Sequence, residues 1–68
     1  MKIRELRQSR RYSQKHLGSL AGLDQSYVSR IEAGNVDVPI ISTLRRLTRA
    51  LGVKPAELLA DEPLDNAA

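Results

Sequence analysis

Apolar residues recur along this chain at spacings of three and four, the pattern of helices with one buried face. Ile3 and Leu6, with Arg7 on the same face, predict a first helix from Ile3 to about Arg10, with Arg4, Arg10 and Arg11 mostly outward. Ser13 offers an N-cap, and Leu17, Leu20 and Ala21 follow on one side of a second helix that Gly22 ends. Asp24 caps a third helix, Val28 and Ile31 give it an apolar stripe, and Gly34 closes it. Pro39 keeps its predecessor out of helical backbone, so a fourth helix begins after it and runs from about Ile41 to Leu51. Its inward positions are Leu44, Leu47 and Leu51, with Ala50 at the margin; Arg45, Arg46 and Arg49 face outward. Gly52 stops that helix and Val53 is a core contact. Pro55 suits the first turn of a fifth, about Pro55 to Ala60, with Leu58 in the core. The fold class is all-α, five short helices.

The second and third helices are too short to bury much alone, so they must pack closely. Gly18 sits at their crossing, Gly22 makes the corner, and Val28 and Ile31 fill the crevice. Small at 18, Gly at 22 and branched aliphatics at 28 and 31 match the spacing of a DNA-binding helix-turn-helix. The outward face of the third helix then carries Gln25, Ser26, Ser29 and Arg30. Gln25 can bond adenine through both its carbonyl and its amide, and Arg30 can fork onto O6 and N7 of guanine. Ser26 discriminates weakly, since its hydroxyl both donates and accepts. Ser29 is either a contact or merely small, and Arg30 has two other options, Glu32 and a phosphate. Tyr27 lies at the groove edge with its hydroxyl in reach of a phosphate. Gln14 opens the second helix, where free N–H groups favour an anion. Arg11 and Lys15 are nearby cations. Asn35 and Ser42, with the backbone near Ile41, are candidates for a clamp on the other side.

The chain resembles the Cro/C1-type (XRE-like) regulators. The resemblance rests on Ser13-Gln14, Leu17-Gly18, Ala21-Gly22, the run from Gln25 to Glu32, and Gly34. It continues through Pro39, Leu44, Leu47, the run Ala50 to Val53, and Leu58, and covers about residues 3 to 60. It implies a lambda-repressor-like DNA-binding domain with the helix-turn-helix at helices two and three. It also implies an Arg7–Glu32 pair, phosphate binding by Gln14, a frequent bond from Gln14 to the first residue of the reading helix, and base contacts at Gln25, Ser26 and Arg30. The alternative for Arg7 and Glu32 is two solvated surface charges. Tyr12 departs from the family's usual leucine, and Thr48 from its usual alanine.

Charge sharpens this picture. The 68 residues carry a net charge of +3. Residues 1–60 hold all 11 Lys and Arg against five acids, a net of +6, while Asp61, Glu62 and Asp65 make the last eight residues −3. A basic body suits a polyanion, and the expected layout is a binding domain at 1–60 with an acidic, flexible tail at 61–68. There is no cysteine and His16 is the single histidine, so no disulfide, metal site or cofactor is expected. Ser13 and His16 lie on one short helix without a glycine elbow or a buried acid, which argues against an enzyme. No apolar run approaches membrane-spanning length and no signal peptide leads the chain, so a cytoplasmic, nucleoid-associated protein is expected. The expected function is a sequence-specific repressor, with a restriction–modification controller protein or a DNA-binding antitoxin with a toxin partner as alternatives. A homodimer on a two-fold operator is expected, with Leu59 and Leu64 as apolar interface candidates.

Overall fold

Local chemistry sets each helix boundary. In a computed structural model that describes residues 1–35 and 40–61, the chain forms α1 (Ile3–Ser9), α2 (Gln14–Ala21), α3 (Gln25–Glu32), α4 (Ile41–Leu51) and α5 (Pro55–Leu58). No strand occurs among the described residues. Ser13 Oγ accepts the His16 N–H at 2.9 Å to cap α2, and Asp24 Oδ2 accepts the Ser26 N–H at 3.0 Å to cap α3. Gly22 turns the chain out of α2 with a left-handed φ of 70°, and the Leu23 N–H returns to the Gly18 carbonyl at 2.8 Å. Ala33 is the C-cap of α3; Gly34 follows with φ 79°, and the Asn35 N–H returns to the Arg30 carbonyl at 3.0 Å. The end of α1 has the same pattern, Tyr12 N–H to Arg7 carbonyl at 3.1 Å, but its left-handed residue is Arg11, φ 58°.

Every helix sends apolar side chains to one centre. Ile3, Leu17, Ala21, Val28, Ile31, Leu47, Leu51 and Leu58 form the core, and half-buried Leu6, Tyr12, Leu44 and Val53 pack around it. Thr48 is buried, and its hydroxyl donates to the Arg45 carbonyl at 3.0 Å, so the polar group carries its own partner. The Lys2 N–H donates to the Leu58 carbonyl at 2.8 Å and ties the start of the chain to α5.

Four expectations change. Leu20 is 50% exposed although it shares a spacing with Leu17 and Ala21. It is turned roughly 100° from Ala21, and only the narrow stripe through Leu17 and Ala21 meets the core. Arg10 is not outward: it is half-buried, and its Nη1 donates to the Leu6 carbonyl at 3.2 Å. The fifth helix ends at Leu58, and Leu59, its C-cap, is half-buried rather than a free apolar edge. Asp61, the first residue assigned to the tail, lies 3.4 Å from the Met1 ammonium. Pro39, Glu62, Leu64 and Asp65 fall outside the described residues.

Candidate nucleic-acid interface

The helix-turn-helix is held by one close approach and one charged cluster. A Cβ built on Gly18 would sit 2.6 Å from the Leu23 carbonyl oxygen, with Asp24 and Gln25 backbone atoms at 3.6 Å. Only a residue without a side chain lets α2 approach the start of α3 so closely.

Glu32, at the end of α3, is the charged hub. Its side chain is 0% exposed, and Arg7 forks onto it through Nε at 2.6 Å and Nη2 at 3.0 Å. Gln14 Nε2 donates to the same carboxylate at 3.2 Å, and Arg4 Nε at 3.3 Å. Arg7 Nη1 reaches the Tyr12 carbonyl at 2.8 Å. One carboxylate thereby joins α1, α2 and α3. Burial pushes the Glu32 carboxyl up, but the hydrogen bonds from Arg7, Gln14 and Arg4, with the Arg7 charge, outweigh it and hold the group below its ordinary range. The hydrogen bond to Glu32 raises Arg7 in turn, against the opposing effect of burial. The expected Arg7–Glu32 pair is formed. Gln14 turns to the last residue of α3, not to Gln25.

Gln25, Ser26, Ser29 and Arg30 occupy one face of α3, spanning roughly 140° opposite Val28 and Ile31. All four are exposed. Gln25, Ser29 and Arg30 make no side-chain hydrogen bond or ion pair among the described residues. Arg30 therefore leaves Glu32 to Arg7, Arg4 and Gln14. Ser26 is different: its hydroxyl donates to Asp24 Oδ2. That bond, with the Ser26 backbone N–H, holds the Asp24 carboxyl below its ordinary range. Arg11, Lys15, Asn35 and Ser42 are exposed, and Tyr27 is half-buried with its ring against the core.

Two contacts go beyond what the sequence predicts. Arg4 is exposed, as its position predicts, and its Nε also reaches Glu32; its i, i+3 spacing from Arg7 is the signal for that contact. Asp24 caps α3 as predicted and also binds the Ser26 hydroxyl, which its two-residue spacing allows. Among the described residues, no cluster of His, Cys, Asp or Glu suits a metal ion, and no helix is long and apolar enough to cross a membrane.

Two short helices at a glycine crossing, capped and turned in this way, define a helix-turn-helix of the DNA-binding class. A family model described as a helix-turn-helix domain matches residues 1–60. The chain belongs to the helix-turn-helix domain family, consistent with the XRE-like resemblance of its motif residues. No curated protein and no solved structure matches it.

Proposed function

We propose that this protein is a sequence-specific repressor that occupies a double-stranded DNA operator with α3 in the major groove. The observation that carries the reading is the division of labour among the motif's polar groups. Arg7, Gln14, Ser26 and Glu32 are engaged inside the protein, whereas Gln25, Ser29 and Arg30 are exposed on one face of α3 without a partner among the described residues. In this reading Gln25 and Arg30 read base edges, Ser29 adds a contact at the groove floor, and Ser26 only accepts, because its proton is committed to Asp24. Gln14, Arg11, Lys15, Tyr27, Asn35 and Ser42 hold phosphates and set the docking. The binding domain is residues 1–60, with the acidic segment 61–68 directed away from DNA. The reading assigns no catalytic residue, metal or cofactor, and the protein acts at the nucleoid as a homodimer on a two-fold operator.

Selection of bound duplexes from a random pool tests this. A single enriched motif with two-fold symmetry is the expected result. Binding without any enriched sequence overturns the repressor reading and leaves a non-specific DNA binder.

A further inference from the structure

A groove of about 550 Å³, open to solvent, runs between α2 and α4. None of its lining residues belongs to α3. Tyr12, Leu20 and Ala21 give it an apolar floor on the α2 side, and Arg45, Arg46 and Arg49 line the α4 side. Two features make this surface unusual. Leu20 is 50% exposed within a concave site, where a large aliphatic group gains by being covered. The three arginines are exposed at i, i+1 and i+4 along one flank of α4, a helix with no acidic residue. None of them donates from its side chain to an acid among the described residues. Arg46 Nη1 leans over the corner between α2 and α3, 3.8 Å from where a Cβ on Gly22 would lie.

We propose that this groove docks an acidic, helix-forming segment of a protein partner, with one large apolar side chain on Leu20 and carboxylates on Arg45 and Arg49. The charge of Arg45, Arg46 and Arg49 is complementary to an acidic chain, and the groove is open to solvent, so an elongated segment has access to it. A phosphate backbone would use the arginines but gains nothing from Leu20 and the Tyr12 ring. An amphipathic helix uses both, through apolar anchors at i and i+4 and a charged margin. The groove gives the protein a protein-binding face off α3; Ser42, proposed above as a phosphate contact, also lines it, so the test is made without DNA and on Leu20, Arg45 and Arg49 alone.

The test uses the full chain without DNA and a fluorescent synthetic helix of Glu and Leu, with Leu at i and i+4. The same peptide with Ser in place of Leu, and with Lys in place of Glu, gives the two controls. Anisotropy at low salt is expected to show binding of the Glu/Leu peptide alone. Leu20→Ser and the double change Arg45→Glu with Arg49→Glu are each expected to weaken it about tenfold. These side chains are exposed, Leu20 by half, so both variants should stay folded, with the melting temperature lowered only modestly by the poorer helix former at 20 and the anion in the last turn of α4. A random duplex in a parallel titration separates the other occupant. If the charge reversals weaken duplex binding and leave the peptide's affinity unaltered, the groove is a phosphate contact and the proposal is wrong. Equal binding of the Leu and Ser peptides would also overturn it, since the apolar anchor would then be idle.

Discussion

A single carboxylate does much of the work of joining this motif to the rest of the protein. Glu32 is shielded from solvent and meets Arg7, Arg4 and Gln14 from two other helices. The net contribution of such a cluster over an apolar replacement is small, but removing one partner strands the others, at a cost of about 3–5 kcal/mol. Glu32→Lys places a cation against Arg7 and Arg4, so urea denaturation should show a loss of that order, a large share of a small domain's stability. The exchange Arg7→Glu with Glu32→Lys should recover only part, because an ammonium cannot fork onto a carboxylate. A double-mutant cycle should give a coupling of about 0.5–3 kcal/mol, and zero coupling contradicts the pair. The same group sets an acid dependence. Its folded pKa lies below the ordinary value it has in the unfolded chain, so the unfolded chain takes up the proton first. The stabilisation is fully present above that value and is lost as pH falls through the lower, folded value. Glu32→Gln should flatten the acid limb of stability against pH, measured by urea denaturation across that range. Asp24, also lowered but exposed, acts in the same direction, and Asp24→Asn separates its share.

At the scale of the helix, three termini end on glycine and one on arginine. Gly22, Gly34 and Gly52 take positive φ, and Arg11 does the same after α1 at φ 58°. A left-handed backbone costs a residue with a Cβ roughly 1–2 kcal/mol. Part of the relief is returned through the greater freedom of glycine in the unfolded chain. Arg11→Gly is therefore expected to raise the melting temperature, by a gain of up to about 1 kcal/mol. If Arg11 holds a phosphate, the same change should reduce the slope of log K against log salt by about one. A less stable variant would mean that the arginine side chain contributes more than its backbone costs. The contrast also shows which features were legible. Ser13, Asp24, Gly22 and Pro55 act within a turn of themselves, so the helices begin and end close to where these residues predict. Gly18 was legible because a short helix pair leaves one crossing point. The exposure of Leu20 and the contact of Arg4 with Glu32 were not, since they depend on where α4 and α3 lie, which spacing within one helix does not encode; Arg10 folds back onto the Leu6 carbonyl one turn earlier in α1. Arg11 carried no sign of its φ, because its conformation follows from closing α1 onto Tyr12. Gln14 opens α2 as predicted, and its amide meets Glu32 rather than Gln25, a partner on another helix that spacing within α2 does not encode.

Across the whole molecule, residues 1–60 have a net charge of +6, which attracts any duplex and so explains affinity rather than choice of sequence. In the proposed function choice comes from the α3 face, and one such helix reads only a few base pairs, which is why a dimer is proposed. The separation of affinity from choice can be measured by titrating each variant against every single-base change in the selected operator. Arg30 is exposed and unengaged among the described residues, and as a base reader it forks onto a guanine. Arg30→Ala should then cost about 1–3 kcal/mol on the best operator and far less on operators already changed at that guanine. Gln14 belongs to the other class. It opens α2, which crosses the DNA backbone in the proposed docking, and its amide is partly committed to Glu32. Gln14→Ala should weaken all operators by a similar factor, with the salt slope almost unchanged because no charge is removed. It should also lower the melting temperature through the lost donor to Glu32, which Arg30→Ala should not. An even loss of affinity across the matrix for Arg30→Ala would make Arg30 a phosphate ligand and leave Gln25 as the principal reader.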